Sequence, residues 1–164
     1  MNKEENMKKI ASLLIIILIG VAVGADAAAK PRKFYVTRNT FTGSQATTAC
    51  ATGYHMASLW EIFDVTNLRY ETTLGITADD SGFGPPSVDD GFGWIRTGGQ
   101  SRSNLIPGSA NCFAWMSDSD SDLGTSIGLN LDWGNQFSDN AIVNPWQATF
   151  RQCNVATPVW CVQD

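Results

Sequence analysis

The chain is short of the residues that most metal and catalytic sites are built from. It has one histidine, His55, and four cysteines, none in a Cys-x-x-Cys pair. A structural zinc ion takes four thiolate or imidazole ligands, and the usual close thiol pairs are missing, so zinc is excluded. His55 lies between Tyr54 and Met56 with no cysteine nucleophile or Ser-His-Asp pattern around it. The required constellations for nucleophilic catalysis are therefore absent. Carboxylate pairs in loops could flank a glycosidic bond, but nothing in the sequence fixes their separation, which leaves a hydrolase as a distant alternative.

Lysine is scarce too, with none after Lys33. Of 11 basic and 16 acidic residues, three of each sign fall in the first 27 positions, so the remainder keeps the whole chain's net charge of −5. Such a field repels phosphate backbones and anionic lipid heads, making nucleic acid and membrane surfaces poor partners. Lys30, Arg32 and Lys33 read as a solvated lead-in. Beyond Gly24 no apolar run could span a bilayer. There is no internal repeat and no separate linker.

What is present begins with a tripartite N-terminus. Lys8 and Lys9 make a positive segment, Ile10–Gly24 an apolar run, and Ala25-Asp26-Ala27 a small-x-small site. This predicts a secretory signal, residues 1–27, cleaved after Ala27. An uncleaved membrane anchor is the alternative, although the run is shorter than the roughly 20 residues a span needs. Residues 28–164 are then one exported domain, secreted, periplasmic or on the cell surface. An even number of cysteines in an oxidising compartment predicts two disulfides among Cys50, Cys112, Cys153 and Cys161, with three possible pairings.

Aromatic and β-branched residues from Lys33 to Phe41 predict a strand. Ser44 follows as an N-cap, with Ala46, Ala49 and Cys50 on one helical face and Gly53 as the left-handed residue that ends it. Ser58-Leu59-Trp60-Glu61 matches a capping box, which gives Glu61 a structural role ahead of a catalytic one. Leu59, Ile62, Phe63, Thr66 and Tyr70 then form a stripe that predicts a second helix reaching Leu74-Gly75. A Gly/Pro-rich loop runs from Ile76 to Gly93. Strands are predicted at Trp94–Thr97, Asn111–Met116, Ile127–Trp133, Thr149–Cys153 and Pro158–Gln163, with a loop over Gly134–Gln147.

This order of features resembles the C-type-lectin-like fold. The residues that carry the likeness are Cys50, Gly53, Met56–Leu59, Trp94-Ile95, Cys112, Cys153 and Cys161. Asn111-Cys112 with Trp115-x-Ser117 and the closing Cys161-Val162 is most similar to bacterial exported domains of unknown function, distantly like the endostatin-like branch. The likeness covers nearly all of Lys33–Asp164. It implies an α+β domain with two helices on a small, mostly antiparallel, twisted sheet, long loops, and the pairs Cys50–Cys161 and Cys112–Cys153. Sugar-binding members carry a Glu-Pro-Asn or Gln-Pro-Asp triplet before the second cysteine and a Trp-Asn-Asp before the third. Here the 17 residues between Trp94 and Cys112 hold no such triplet, and Trp146-Gln-Ala-Thr-Phe-Arg-Gln precedes Cys153. The usual calcium-dependent sugar site is not written in this chain.

Three groups remain as candidate sites. Asp118, Asp120 and Asp122 resemble the opening of an oxygen-rich calcium loop, although the glycine comes one place late and no bidentate Glu follows. Asp79, Asp80, Asp89 and Asp90 form a second acidic group. Trp94, Trp115, Trp133 and Trp160 are expected in the core and Trp60 as core or cover. Trp146, beside Pro145 in a predicted loop, is expected to be exposed, where it could stack on a sugar or a protein; the competing reading has it cover the second disulfide. The expected function is a non-catalytic recognition module for a protein or glycan. The alternatives are a calcium-binding lectin with a site of its own, or a structural envelope or matrix component.

Overall fold

Arg32–Val36 forms β1, and its side chains sort alternately onto two sides. Phe34 and Val36 join one buried cluster and Tyr35 joins another. The chain's last strand does the same: Trp160 and Val162 go with Phe34, whereas Cys161 goes with Tyr35. A strand apolar on both faces belongs inside a domain, since successive side chains leave a sheet on opposite sides. That is why KFYV and VWCV read as near-continuous apolar runs.

The structure is a computed structural model that describes residues 30–86, 91–129 and 146–164. Residues 31–164 make one compact unit. The predicted signal at residues 1–27, Asp89, Asp90, Trp133 and most of the predicted loop before Trp146 lie outside the described residues. Along the rest, β1 is followed by a 3-10 helix at Gly43–Thr48, β2 at Tyr54–Met56, α1 at Leu59–Phe63, a second 3-10 turn at Val65–Asn67 and β3 at Leu68–Tyr70. Then come β4 at Gly93–Trp94, β5 at Leu123–Leu129, β6 at Trp146–Gln152 and β7 at Trp160–Gln163. The strands form a four-stranded sheet in the order β2-β7-β1-β3 and a three-stranded sheet in the order β4-β5-β6. All pairings are antiparallel except β1 with β3. A single bridge, Trp94 with Val159, ties one sheet to the other. The fold is thus mixed α+β, with small sheets, few helices and two disulfides, Cys50–Cys161 and Cys112–Cys153.

Four expectations are corrected. The first helix is a 3-10 helix capped by Thr42 rather than Ser44, and Gly53, at φ +82°, serves the turn into β2. The second helix stops at Phe63, far short of Gly75. Asp64 breaks it: its Oδ1 accepts from the Thr66 N–H at 3.0 Å and from the Thr66 hydroxyl at 2.6 Å. A short acidic side chain bonding its own backbone neighbours competes with helix propagation. Leu68–Tyr70 then pairs in parallel with Arg32–Phe34, and Phe63 is left exposed. The stripe therefore fails after Ile62: Phe63 and Thr66 are exposed and Tyr70 belongs to a strand.

The strand predicted at Asn111–Met116 is a left-handed helical turn. Cys112, Phe113, Ala114 and Trp115 have φ of 45°, 51°, 55° and 63°, with none of them glycine. Left-handed backbone costs L-residues about 1–2 kcal/mol each, so strong constraints must hold this turn. Several do. Trp115 and Met116 donate to the Asn111 and Cys112 carbonyls at 2.8 and 3.0 Å, Trp115 packs edge-on against Trp94, and Cys112 is bonded to Cys153. The sulfur fits because two glycines make room. A Cβ at Gly43 or Gly124 would come within 2.5 or 2.6 Å of Cys112 Sγ.

The strand expected to start at Ile127 starts at Leu123, and it is buried on both faces rather than one. Leu123, Thr125 and Ile127 alternate with Gly124, Ser126 and Gly128, so the period-2 signal is large against small instead of apolar against polar.

Candidate functional site

The capping box at the start of α1 is present as read. The Ser58 N–H donates to Glu61 Oε2 at 2.9 Å and the Ser58 hydroxyl at 2.8 Å. The same carboxylate collects more partners than a cap requires. His55 Nε2 lies 2.8 Å from its Oε1, while Arg32 and Arg96 each bring an Nη2 to 3.5 Å. His55 Nδ1 reaches Asp164 Oδ1 at 2.6 Å. The ring thus bridges two carboxylates, one from α1 and one from Asp164. Partial burial opposes ionisation of Glu61, but the hydrogen bonds from Ser58 and His55 outweigh it and hold the carboxyl down at about 2. At neutral pH it is a fixed anion with no proton to give.

Beyond Glu61 an open groove of about 510 Å³ runs between α1 and the segment from Arg96 to Trp115. Trp60, Glu61, Arg96, Gln100, Asn111 and Trp115 are among the residues that line it. Trp60 is 82% exposed, the most exposed large apolar side chain among the described residues. Asn111 is the opposite, 1% exposed. Its amide nitrogen donates to Thr97 Oγ1 at 2.8 Å and to the Gly99 carbonyl at 2.9 Å. Its Oδ1 has no partner, nor does Arg96 Nε, and both atoms are buried. A second groove of about 350 Å³ lies near the first disulfide, with Tyr35, Arg38, Phe41 and Cys50 in its wall.

The residues singled out from the sequence go elsewhere. Trp146 is not an exposed loop residue: it opens β6, is 4% exposed, donates to the Ile62 carbonyl at 3.1 Å and packs edge-on against Trp160 at 5.1 Å. It also does not cover the second disulfide, whose cysteines belong to the other cluster. The backbone register with Leu129 pulls it into the sheet despite the neighbouring proline.

Asp118 accepts from the Ser44 N–H at 2.8 Å and hydroxyl at 2.6 Å, and these bonds hold its carboxyl below the usual carboxylate range. It therefore tethers the loop to the first 3-10 helix. Asp120 is exposed, whereas Asp122 is buried beside β5. Asp79 and Asp80 sit on an exposed turn. Among the described residues no three His, Cys, Asp or Glu side chains converge as a metal site. Trp94, Trp115 and Trp160 are core, as expected.

The groove was missed in the sequence, yet one signal for it was there. Trp60 lies off the Leu59, Ile62, Phe63 stripe, so its indole had to leave the helix on the outer side. Asn111 and Arg96 gave no comparable sign. No protein-family model, no curated protein and no solved structure matches the chain.

Proposed function

We propose that the chain is an exported, non-catalytic recognition module of the C-type-lectin-like kind, taking a protein or glycan ligand at the cell surface or outside the cell. The observation that carries this reading is Trp60: an indole 82% exposed that lines an open groove together with Glu61, Arg96 and Asn111. Folding gains nothing from presenting that ring to water, whereas aromatic side chains with one open face recur at binding surfaces. Two disulfides fit an oxidising compartment. Among the described residues no helix is long and apolar enough to cross a membrane.

The test is retention of the disulfide-intact chain on panels of immobilised glycans and cell-surface proteins, with Trp60→Ala in parallel and with calcium or chelator present. Specific retention that the variant loses supports the module. Retention by neither panel, or substrate turnover that survives Trp60→Ala, would overturn it.

A further inference from the structure

We infer that β6 is a self-pairing edge: two copies of the chain join through antiparallel β6 strands with Thr149 on the two-fold axis, so that their three-stranded sheets run together as one. The groove beside α1 takes no part, and the inference stands whether or not that groove binds a ligand.

The argument begins with the edges that the two sheets leave open. Among the described residues the outer strands are β2 and β3 in one sheet and β4 and β6 in the other. β2 and β3 have three residues each and β4 only two. Very short edge strands are one of the devices that keep a sheet from pairing with another chain. β6 is the exception, with seven residues in unbroken register against Leu123–Leu129. It contains no bulge, no proline, no lysine and no carboxylate. Such an unguarded edge presents a row of N–H and C=O groups that a second strand can satisfy. Among the described residues no strand lies on its outer side, and Gln147, Ala148, Phe150 and Gln152 are exposed.

The residues of the strand suit a copy of itself. Antiparallel pairing about Thr149, the middle of β6, engages the whole strand and sets Phe150 opposite Ala148 and Gln147 opposite Arg151, each pair twice by symmetry. Successive side chains leave a strand on opposite sides, so Ala148 and Phe150 of both copies share one face. There each Phe150 ring, 38% exposed in the single chain, covers a methyl group across the join. A foreign extended peptide draws its specificity from pockets beside the edge, and neither groove described above is lined by a β6 residue.

Charge agrees. A net charge of −5 keeps copies of the chain apart in general, yet β4, β5 and β6 carry one charge among them, Arg151. Arg151 lies over its own Phe92 ring, 5.6 Å from the centroid. In this register the two Arg151 residues stand four places apart along the strands, about 13 Å, which exceeds the screening length of about 8 Å at physiological salt. Moving the axis to Arg151 would instead set like charges face to face.

The experiment is sedimentation velocity of the disulfide-intact chain from about 1 μM to 1 mM, the range suited to an interface this small. Wild type is compared with Phe150→Lys, and Thr149→Cys with Gln152→Cys under glutathione disulfide. Circular dichroism checks that each variant is folded, and peptide mapping checks that Cys50–Cys161 and Cys112–Cys153 stay paired. Expected are a wild-type dimer, a dissociation constant raised about tenfold or more by Phe150→Lys, and a disulfide-linked dimer for Thr149→Cys but not for Gln152→Cys, whose position faces Trp146 of the second copy. A wild type that is monomeric throughout, a dimer indifferent to Phe150→Lys, or equal linking at both positions would overturn the inference. If the wild type is monomeric and the β6 amides gain protection from hydrogen exchange only with another protein bound, the edge belongs to a foreign strand and the second-copy assignment falls.

Discussion

On one side of the four-stranded sheet Tyr35, Met56 and Cys161 pack with Trp94, Trp115, Cys112 and Cys153; on the other, Phe34, Val36, Trp160 and Val162 pack with Ile62, Ile127 and Trp146. The first side contains both disulfides. The second has no covalent link and is held by rings: Trp160 stacks on Phe34 at 6.0 Å and meets Trp146 edge-on at 5.1 Å. Its indoles also satisfy their own polar ends, Trp160 on the Ile127 carbonyl at 2.9 Å and Trp146 on that of Ile62 at 3.1 Å. The difference follows from what each side must hold. The disulfide side contains the left-handed turn, which its own residues do not favour, so a covalent bond fixes it. The aromatic side holds regular strands and needs only packing.

The contrast can be broken most directly at Cys50–Cys161, whose 111-residue separation makes it the longer of the two loops. Replacing both cysteines by alanine should cost about 4 to 5 kcal/mol in urea unfolding, on a chain-entropy estimate. On the aromatic side Trp160→Ala should cost about 3 to 4 kcal/mol, because a fully buried indole leaves a cavity that surrounding rings cannot close. A Trp160 loss larger than the disulfide loss would mean that packing, not the covalent bond, governs the sheet.

Gly124→Ala sharpens the comparison. In an ordinary strand alanine in place of glycine stabilises, but here the new Cβ would meet Cys112 Sγ at 2.6 Å and the Trp94 ring at 2.8 Å. A loss of about 2 kcal/mol is expected from overpacking, and a gain would show that the disulfide side is loosely packed. The smallest effect belongs to Glu61, at the sheet's margin. Its carboxyl is held at about 2 in the folded chain, from 4.5. The stability this supplies is complete above the unfolded value and lost as pH falls from about 4.5 toward 2. Screening by solvent reduces it to about 1 kcal/mol. Glu61→Gln should therefore flatten that part of the acid limb in pH-dependent denaturation.

How far the residues announced this structure depended on whether local and tertiary demands agreed. They agreed at Ser58-Glu61 and at the apolar cores of the first and last strands, KFYV and VWCV, although the predicted Lys33–Phe41 strand ends at Val36, Pro158–Gln163 begins at Trp160, and of Trp94–Thr97 only Trp94 lies in a strand. They disagreed beyond Phe63, where helical spacing through Tyr70 lost to Asp64 and to pairing with β1. At Cys112–Trp115 an apolar run looked like a strand because no glycine or asparagine marked the left-handed backbone, which only the tertiary contacts enforce. Trp146 was misjudged from its proline neighbour, when its register opposite Leu129 decided its burial. The candidate site was half visible: the off-stripe position of Trp60 could be read, but the unpaired Asn111 Oδ1 depends on Thr97 and Gly99 converging on the amide from another loop.

The order β2-β7-β1-β3 has a consequence for biosynthesis. β7, Trp160–Gln163, lies between β1 and β2, so two strands made early have no shared neighbour until those residues have been synthesised. Contacts that far apart in the chain form slowly, because loop closure must precede any gain from pairing. A ribosome-bound fragment ending before Trp160 cannot assemble this sheet.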